Sequence, residues 1–119
     1  MDTSKIMAFR HASQAILLLE SLLASARRIP RHARRVTDRS ALPSVLQRIA
    51  IRGAKARVHW AAWSAENSIW FFTVEVTPPP SGVPRCPAIK VMTYDEKGTL
   101  KSSGVYANIP KRGWQRCVL

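Results

Sequence analysis

Apolar residues near the start of the chain recur every three or four positions. From Ser4 to about Arg28 they form one stripe, which consists of Phe9, Ala12, Ile16, Leu19 and Leu23. This spacing is typical of an amphipathic α-helix. Ser4 can cap its first turn, and Pro30 ends it because proline cannot continue the helical hydrogen bonds. The pattern therefore predicts a first helix over residues 4–28.

A second periodic stretch runs from Ser40 to Arg52 and predicts a shorter helix. Its apolar positions are Leu42, Val45, Leu46 and Ile49. Pro43 suits a first helical turn, and Gly53 is suited to end the helix. The intervening residues 27–39 include six arginines and hardly any residue able to fill a core. We interpret them as an exposed connector.

After Gly53 the period changes from about 3.6 to 2, which indicates β-strands. Strands are predicted over residues 55–63, 69–76, 88–94 and from about 99 to 106, and the proline-rich residues 77–87 predict a loop. In the first strand Val58, Trp60 and Ala62 share a face. In the second, Trp70, Phe72, Val74 and Val76 are expected to face the core. Residues 95–98 predict a hairpin turn.

These elements predict an α+β fold, in which two N-terminal helices pack on a four-stranded, mostly antiparallel, curled sheet. The length of 119 residues fits one domain over residues 1–119. Residues 1–53 are its helical part, with the basic connector 27–39. Residues 54–119 are its sheet and an irregular C-terminal tail.

Positive charge changes this picture because it is unevenly distributed. The formal net charge is +12, and residues 1–57 carry +9 of it. Such a surface attracts polyanions, and arginine binds phosphate with two parallel hydrogen bonds. The predicted polyanion-binding residues are Arg27, Arg28, Arg31, Arg34, Arg35, Arg39, Arg48, Arg52, Lys55 and Arg57. In the alternative interpretation, the basic face only keeps the protein in solution.

Compartment and cofactors are only weakly constrained. The apolar run at residues 15–26 is interrupted by Glu20 and is shorter than the roughly 20 residues of a membrane span. A cytoplasmic protein is therefore expected, with an N-terminal targeting peptide as the alternative. Cys86 and Cys117 show no metal-ligand or disulfide spacing and predict reduced thiols. No cofactor and no metal site is expected.

Catalytic patterns are largely missing from the sequence. The acidic residues fall mainly in predicted turns, and no glycine-rich phosphate loop or nucleophile elbow is present. His59 is the one weak catalytic candidate, because it lies close to basic residues as a base in a metal-independent ribonuclease would. The sequence therefore leans towards a protein without enzymatic activity.

Aromatic residues suggest two further interpretations. Trp60, Trp63, Trp70 and Phe72 are candidates for lining a pocket or for stacking on bases, with Phe71 and Tyr106 as additional stacking candidates. A curled sheet that closes over Trp60, Trp70 and Phe72 would make a cone-like ligand-binding protein. A sheet that presents aromatic side chains beside arginines would instead bind nucleic acid.

The order of the elements and the charge resemble the layout of RelE/ParE-type toxins. In that family, helices cover a sheet that cleaves messenger RNA or binds another target. The resemblance implies a metal-independent ribonuclease as one alternative. The usual first strand is not evident, however, and no run of residues matches a family motif, so the likeness stays at the level of layout.

Taken together, these features favour a small basic protein that binds nucleic acid or another polyanion. The first alternative is a protein-interaction module of inhibitor or immunity type, which pairs with a partner or with a second copy through helix 4–28 or a sheet edge. The cone-like protein and the ribonuclease follow. No transmembrane segment is expected.

Overall fold

The computed structural model describes residues 29–81 and 86–117, and the predicted helix 4–28 lies outside them. The described residues form six β-strands and one α-helix. In chain order these are β1 (Arg34–Val36), α1 (Ser44–Lys55), β2 (His59–Ala65), β3 (Ser68–Thr77), β4 (Ala88–Tyr94), β5 (Leu100–Ile109) and β6 (Gly113–Cys117). A short 3-10 helix, Arg39–Ala41, precedes α1.

All six strands belong to one antiparallel sheet in which each strand pairs with the next along the chain. The predicted fold of two helices on a four-stranded sheet is therefore wrong. The described residues instead form a six-stranded meander with a single α-helix, and the two additional strands lie at the edges of the sheet.

Strand β1 lies inside the predicted exposed connector. Its register pairs Arg34 with Ser64 and Val36 with Ala62. A strand pairs through its backbone, so arginine side chains do not prevent pairing at a sheet edge, where they can reach solvent. Of the three residues of β1, Val36 is the one that packs against the helix-side core. A strand this short, with one apolar residue, shows no alternating pattern in the sequence.

Strand β6 lies in the segment for which an irregular tail was predicted. Pro110 and Lys111 occupy the centre of a tight turn, in which the Arg112 N–H donates to the Ile109 carbonyl at 3.0 Å. Lys111 has a φ of 66°, as the third residue of a type II turn requires. The proline and Gly113 therefore reverse the chain between two strands and do not end the sheet.

Helix α1 begins four residues later than predicted and continues through Gly53 to Lys55. Its buried side is formed by Leu46 and Ala50, and Leu42 just before the helix is also buried. These residues pack against Ala62 and Phe71 of the sheet. A small residue at position 62 lets the helix approach the strands closely.

Alternation along the strands divides the apolar residues between two faces. The helix face carries Trp60, Ala62 and Phe71, whereas the opposite face carries Trp63, Trp70, Phe72, Val74, Ile89 and Val91. Trp70, Phe72 and Val74 do share a core-facing side, as predicted. Val76 follows them on the same side of β3 but is not part of the core, since 49% of it is exposed at the end of the strand.

The far half of the helix face is covered differently. There Cys86 and Ala88 pack with Ala107, and Cys117 lies against the same cluster. Cys86 is buried and Cys117 is half-buried, and the two are not joined in a disulfide. Helix α1 thus covers the half of this face that lies next to β1.

The hairpin predicted at residues 95–98 is confirmed. The Asp95 carboxylate accepts hydrogen bonds from the N–H groups of Lys97 and Thr99, both at 2.9 Å. The bond from Thr99 is the main reason why the pKa of Asp95 lies below its ordinary value. Gly98 completes the turn with a φ of +82° and lies directly against Val45 of α1.

This contact makes Gly98 a point where the sheet and the helix constrain each other. We expect Gly98→Ala to lower the free energy of unfolding by about 2–4 kcal/mol, because left-handed backbone strain adds to overpacking against Val45. Gly113→Ala is the matched control, since its φ is +76° but an added methyl group would meet nothing within 4 Å. Urea unfolding of both variants tests this, and equal losses would contradict the role of Val45.

Candidate functional site

The exposed side of α1 is basic. Arg48, Arg52 and Lys55 are exposed and follow one another at intervals of four and three residues. That spacing aligns their side chains on one stripe, which spans about 10 Å along the helix axis. Burial of Leu46 and Ala50 against the sheet leaves this stripe facing solvent.

Further arginines lie on β1 and on the segments beside it. Arg31, Arg34 and Arg39 are exposed, and Arg57 is exposed just after α1. Arg27 and Arg28 lie outside the described residues. We call the exposed side chains of Arg31, Arg34, Arg39, Arg48, Arg52, Lys55 and Arg57 the basic surface.

Little negative charge is available within this part of the sequence. Residues 31–57 carry eight basic residues and one acidic residue, a net charge of +7. The acidic residue is Asp38, whose carboxylate accepts the Ser40 N–H at 3.0 Å, and this hydrogen bond lowers the pKa of Asp38. Within residues 29–81 and 86–117, an ion pair joins Lys101 to Asp95. Neither of these two residues belongs to the basic surface.

An open cleft of about 450 Å³ lies between β1, the end of α1 and the start of β2. Four of the predicted site residues contribute to it. They are Arg35, Arg57, His59 and Trp60. The cleft therefore brings Arg57, His59 and Trp60 beside β1, although the pairing of Arg35 with Trp63 places the Arg35 side chain towards the opposite face of the sheet.

The cleft forms where β1 leaves the sheet. The pairing of β1 with β2 ends at Val36 and Ala62, after which the chain turns away into the 3-10 helix. Residues His59–Ala61 of β2 extend beyond this point and form the floor of the cleft with Val36 and Thr37. Ala54 and Val58 add apolar walls from the other side.

The backbone at the end of α1 aims Arg57 into this cleft. The Val58 N–H donates to the Gly53 carbonyl at 2.7 Å, and the Arg57 N–H donates to the Ala54 carbonyl at 3.3 Å. These two bonds define a Schellman motif, whose left-handed position is usually occupied by glycine. Here that position is Arg57, with a φ of 60°.

A non-glycine residue in this conformation is strained by about 1–2 kcal/mol. Such strain at the rim of a cleft is typical of a residue whose side chain is used there. The helix does not stop at Gly53, as the sequence suggested, because the left-handed residue comes four positions later.

Trp60 is the aromatic residue that the cleft contains. Its ring stacks on Phe71 with centroids 6.1 Å apart and an interplanar angle of 19°. Phe71 thus supports one side of a half-buried indole that also borders the open space. Trp63, Trp70 and Phe72 lie on the opposite face of the sheet, where Trp63 meets Phe72 edge to face at 5.7 Å. The four aromatic candidates therefore do not share one pocket.

Few of the side chains that line the cleft can transfer a proton. His59 lines it, but the remaining polar side chains there are those of Arg35, Arg57 and Thr37. Arginine stays protonated at any physiological pH, and a threonine hydroxyl is a poor acid or base. RNA cleavage needs both a base and an acid, and among the lining residues His59 is the one of a residue type that commonly transfers protons in catalysis. This geometry supports binding better than catalysis.

Thr37 and Ala54 line the cleft without having been singled out in the sequence, and Val58 was predicted only to share a strand face with Trp60. They carry no motif, because their role depends on the departure of β1 and on the left-handed turn after α1. The positive φ at Arg57 also has no sequence signal, since glycine or asparagine is the ordinary residue there. Tertiary structure alone reveals these positions.

Because Arg57 is strained, replacing it with glycine should relax the backbone. We expect Arg57→Gly to raise the free energy of unfolding by about 0.5–1 kcal/mol, the relief of strain being partly offset by the greater freedom of glycine in the unfolded chain. Arg57→Ala keeps the strain and should give no gain. Urea unfolding curves measure both changes, and a glycine variant less stable than the alanine variant would contradict the strain.

Metal binding and membrane insertion find no support in the part of the chain that the structure describes. Within the described ranges, no three His, Cys, Asp or Glu side chains are grouped to hold a metal ion. The one α-helix described is not long and apolar enough to cross a bilayer. Comparisons with protein-family models, with curated proteins and with solved structures find no match to this chain.

Proposed function

We propose that this protein binds nucleic acid through the basic surface. The observation that carries the proposal is the exposed stripe of Arg48, Arg52 and Lys55, which continues into Arg57 at the rim of the cleft. Burial of the opposite side of α1 holds these cations on a rigid element. Because the backbone that carries these cations is already ordered, binding to a row of phosphates does not also have to order the helix.

The affinity of such a surface comes mainly from counterion release. Each phosphate neutralised by an arginine or lysine sets free a condensed cation, and the gain falls as salt is added. The one acidic residue in the segment 31–57 is Asp38, whose carboxylate accepts the Ser40 N–H, so a phosphate meets little competing negative charge from this segment. Binding of this kind is weakly dependent on sequence.

An acidic membrane surface is the other large polyanion, and the packing of α1 argues against it. A helix that lies in a membrane interface inserts its apolar side between the lipids. The apolar side of α1 is buried against Ala62 and Phe71, and Ile51 is the one large hydrophobic residue on the helix that is exposed, at 39%. Nucleic acid requires no such insertion.

Replacing Arg48, Arg52 and Lys55 together by glutamine tests the proposal. We expect affinity for random-sequence RNA or DNA to fall at least tenfold at low salt. The plot of log affinity against log salt concentration should become less steep by about 2–3 units, since three phosphate contacts are lost. Fluorescence anisotropy titrations at several salt concentrations give both quantities.

The matched control replaces Lys111, Arg112 and Arg116, which are also exposed, by glutamine. They lie on or beside β6, at the sheet edge opposite β1, so the net charge falls equally without a change in the basic surface. An equal loss of affinity in the control would show that overall charge, and not this surface, governs binding. No salt-dependent binding by the unmodified protein would refute the proposal.

A further inference from the structure

We infer that the cleft beside Arg57 holds one unpaired nucleotide of a single strand, with its base against Trp60 and its phosphate at Arg57. This inference rests on the proposed function and specifies its substrate class. The basic surface alone would bind a duplex and a single strand alike. The cleft adds a concave site that only an unpaired base can enter.

The shape and lining of the cleft suit a base. Its volume of about 450 Å³ lies within the range of roughly 300–1,000 Å³ found for small-molecule sites. Ala54 and Val58 provide apolar walls, and Trp60 provides an aromatic surface. Every base has a flat π-face, so stacking on an indole holds bases of any sequence. The stack of Trp60 on Phe71 fixes the ring before a ligand arrives.

The rim of the cleft suits a phosphate. Arg57 lines it at the end of α1, whereas the pairing of Arg35 with Trp63 places the Arg35 side chain towards the opposite face of the sheet. Guanidinium groups bind phosphate oxygens with paired hydrogen bonds. Thr37 adds a hydroxyl at the same opening. A base in the apolar interior with a phosphate at the charged rim matches the polarity of one nucleotide.

The position of the cleft connects it to the rest of the surface. Arg57 lies two residues beyond Lys55, the last cation of the α1 stripe. A strand whose base occupies the cleft can therefore continue along Arg52 and Arg48 with its phosphates. In a duplex the bases are paired and stacked inside the helix, and a nucleotide must first be extruded to enter such a pocket. The cleft therefore favours single strands.

Filling the cleft without changing its charge tests the inference. Ala54→Leu places a larger apolar side chain on its wall, and Ala56→Leu is the matched control, because Ala56 is exposed two residues away and does not line the cleft. The probes are a ten-nucleotide oligo(dT) and a DNA hairpin whose mixed-sequence stem of ten base pairs stays paired in dilute solution, compared by anisotropy at one salt concentration. We expect Ala54→Leu to weaken oligo(dT) binding about tenfold, the loss of one stacked base.

Duplex affinity should be unchanged in Ala54→Leu, and Ala56→Leu should bind both probes normally.

Arg57→Gly provides a second test, with Lys111→Gly as its control, because both replace a basic residue at positive φ. Arg57→Gly should fold at least as stably as the unmodified protein and still lose oligo(dT) affinity more than Lys111→Gly does. Retained folding separates lost binding from lost structure.

The outcomes distinguish this inference from the proposed function. If Ala54→Leu weakens both probes equally or neither, the cleft does not select an unpaired base and the inference is overturned, while salt-dependent binding to the basic surface can still stand. If the unmodified protein binds neither probe, the proposed function fails and the inference fails with it. A selective loss for oligo(dT) supports both.

Discussion

Burial of Leu46 and Ala50 against Phe71 and Ala62 is the contact on which the described structure depends most. These four residues are 0–1% exposed. Truncating a leucine in such a position ordinarily costs about 2–5 kcal/mol, so the rotation of α1 about its own axis is firmly fixed. With that rotation fixed, Arg48, Arg52 and Lys55 have one direction to point, which is into solvent. The basic stripe is thus a consequence of apolar packing on the other side of the helix.

The same packing places the end of α1 beside the edge of the sheet. The Schellman motif then reverses the chain into β2, and β1 separates from β2 after Val36. Residues His59–Ala61 of β2 therefore have no β1 residue paired with them, and the cleft lies along this unpaired stretch. Its aromatic, cationic and apolar components come from three different elements. A short edge strand, which otherwise serves to limit edge-to-edge pairing, here also leaves room for a ligand.

Local sequence predicted those elements that contain enough residues to show a period. Strands β3 and β4 were predicted within one residue of their bounds, and so was the hairpin at residues 95–98. Strand β1 was missed because three residues with one core contact show no alternation. Strand β6 was missed because Pro110 and Gly113, which are usual at the end of a structured region, here form a turn. The end of α1 was misplaced because its left-handed residue is an arginine.

For the site, the sequence by itself determined the excess of positive charge in the first half of the chain. It also determined the amphipathic second helix with its basic positions, and the presence of His59 and Trp60 soon after that helix. These follow from residue identity and local periodicity, which need no long-range contact. Only the tertiary structure decided that Trp60 and Arg57 border one cleft, while Trp63, Trp70 and Phe72 lie on the other face, with Arg35 paired to Trp63. Strand register decides this, because a shift of one residue moves a side chain to the opposite side of a sheet. Register is set by pairing between distant segments, and no local pattern records it.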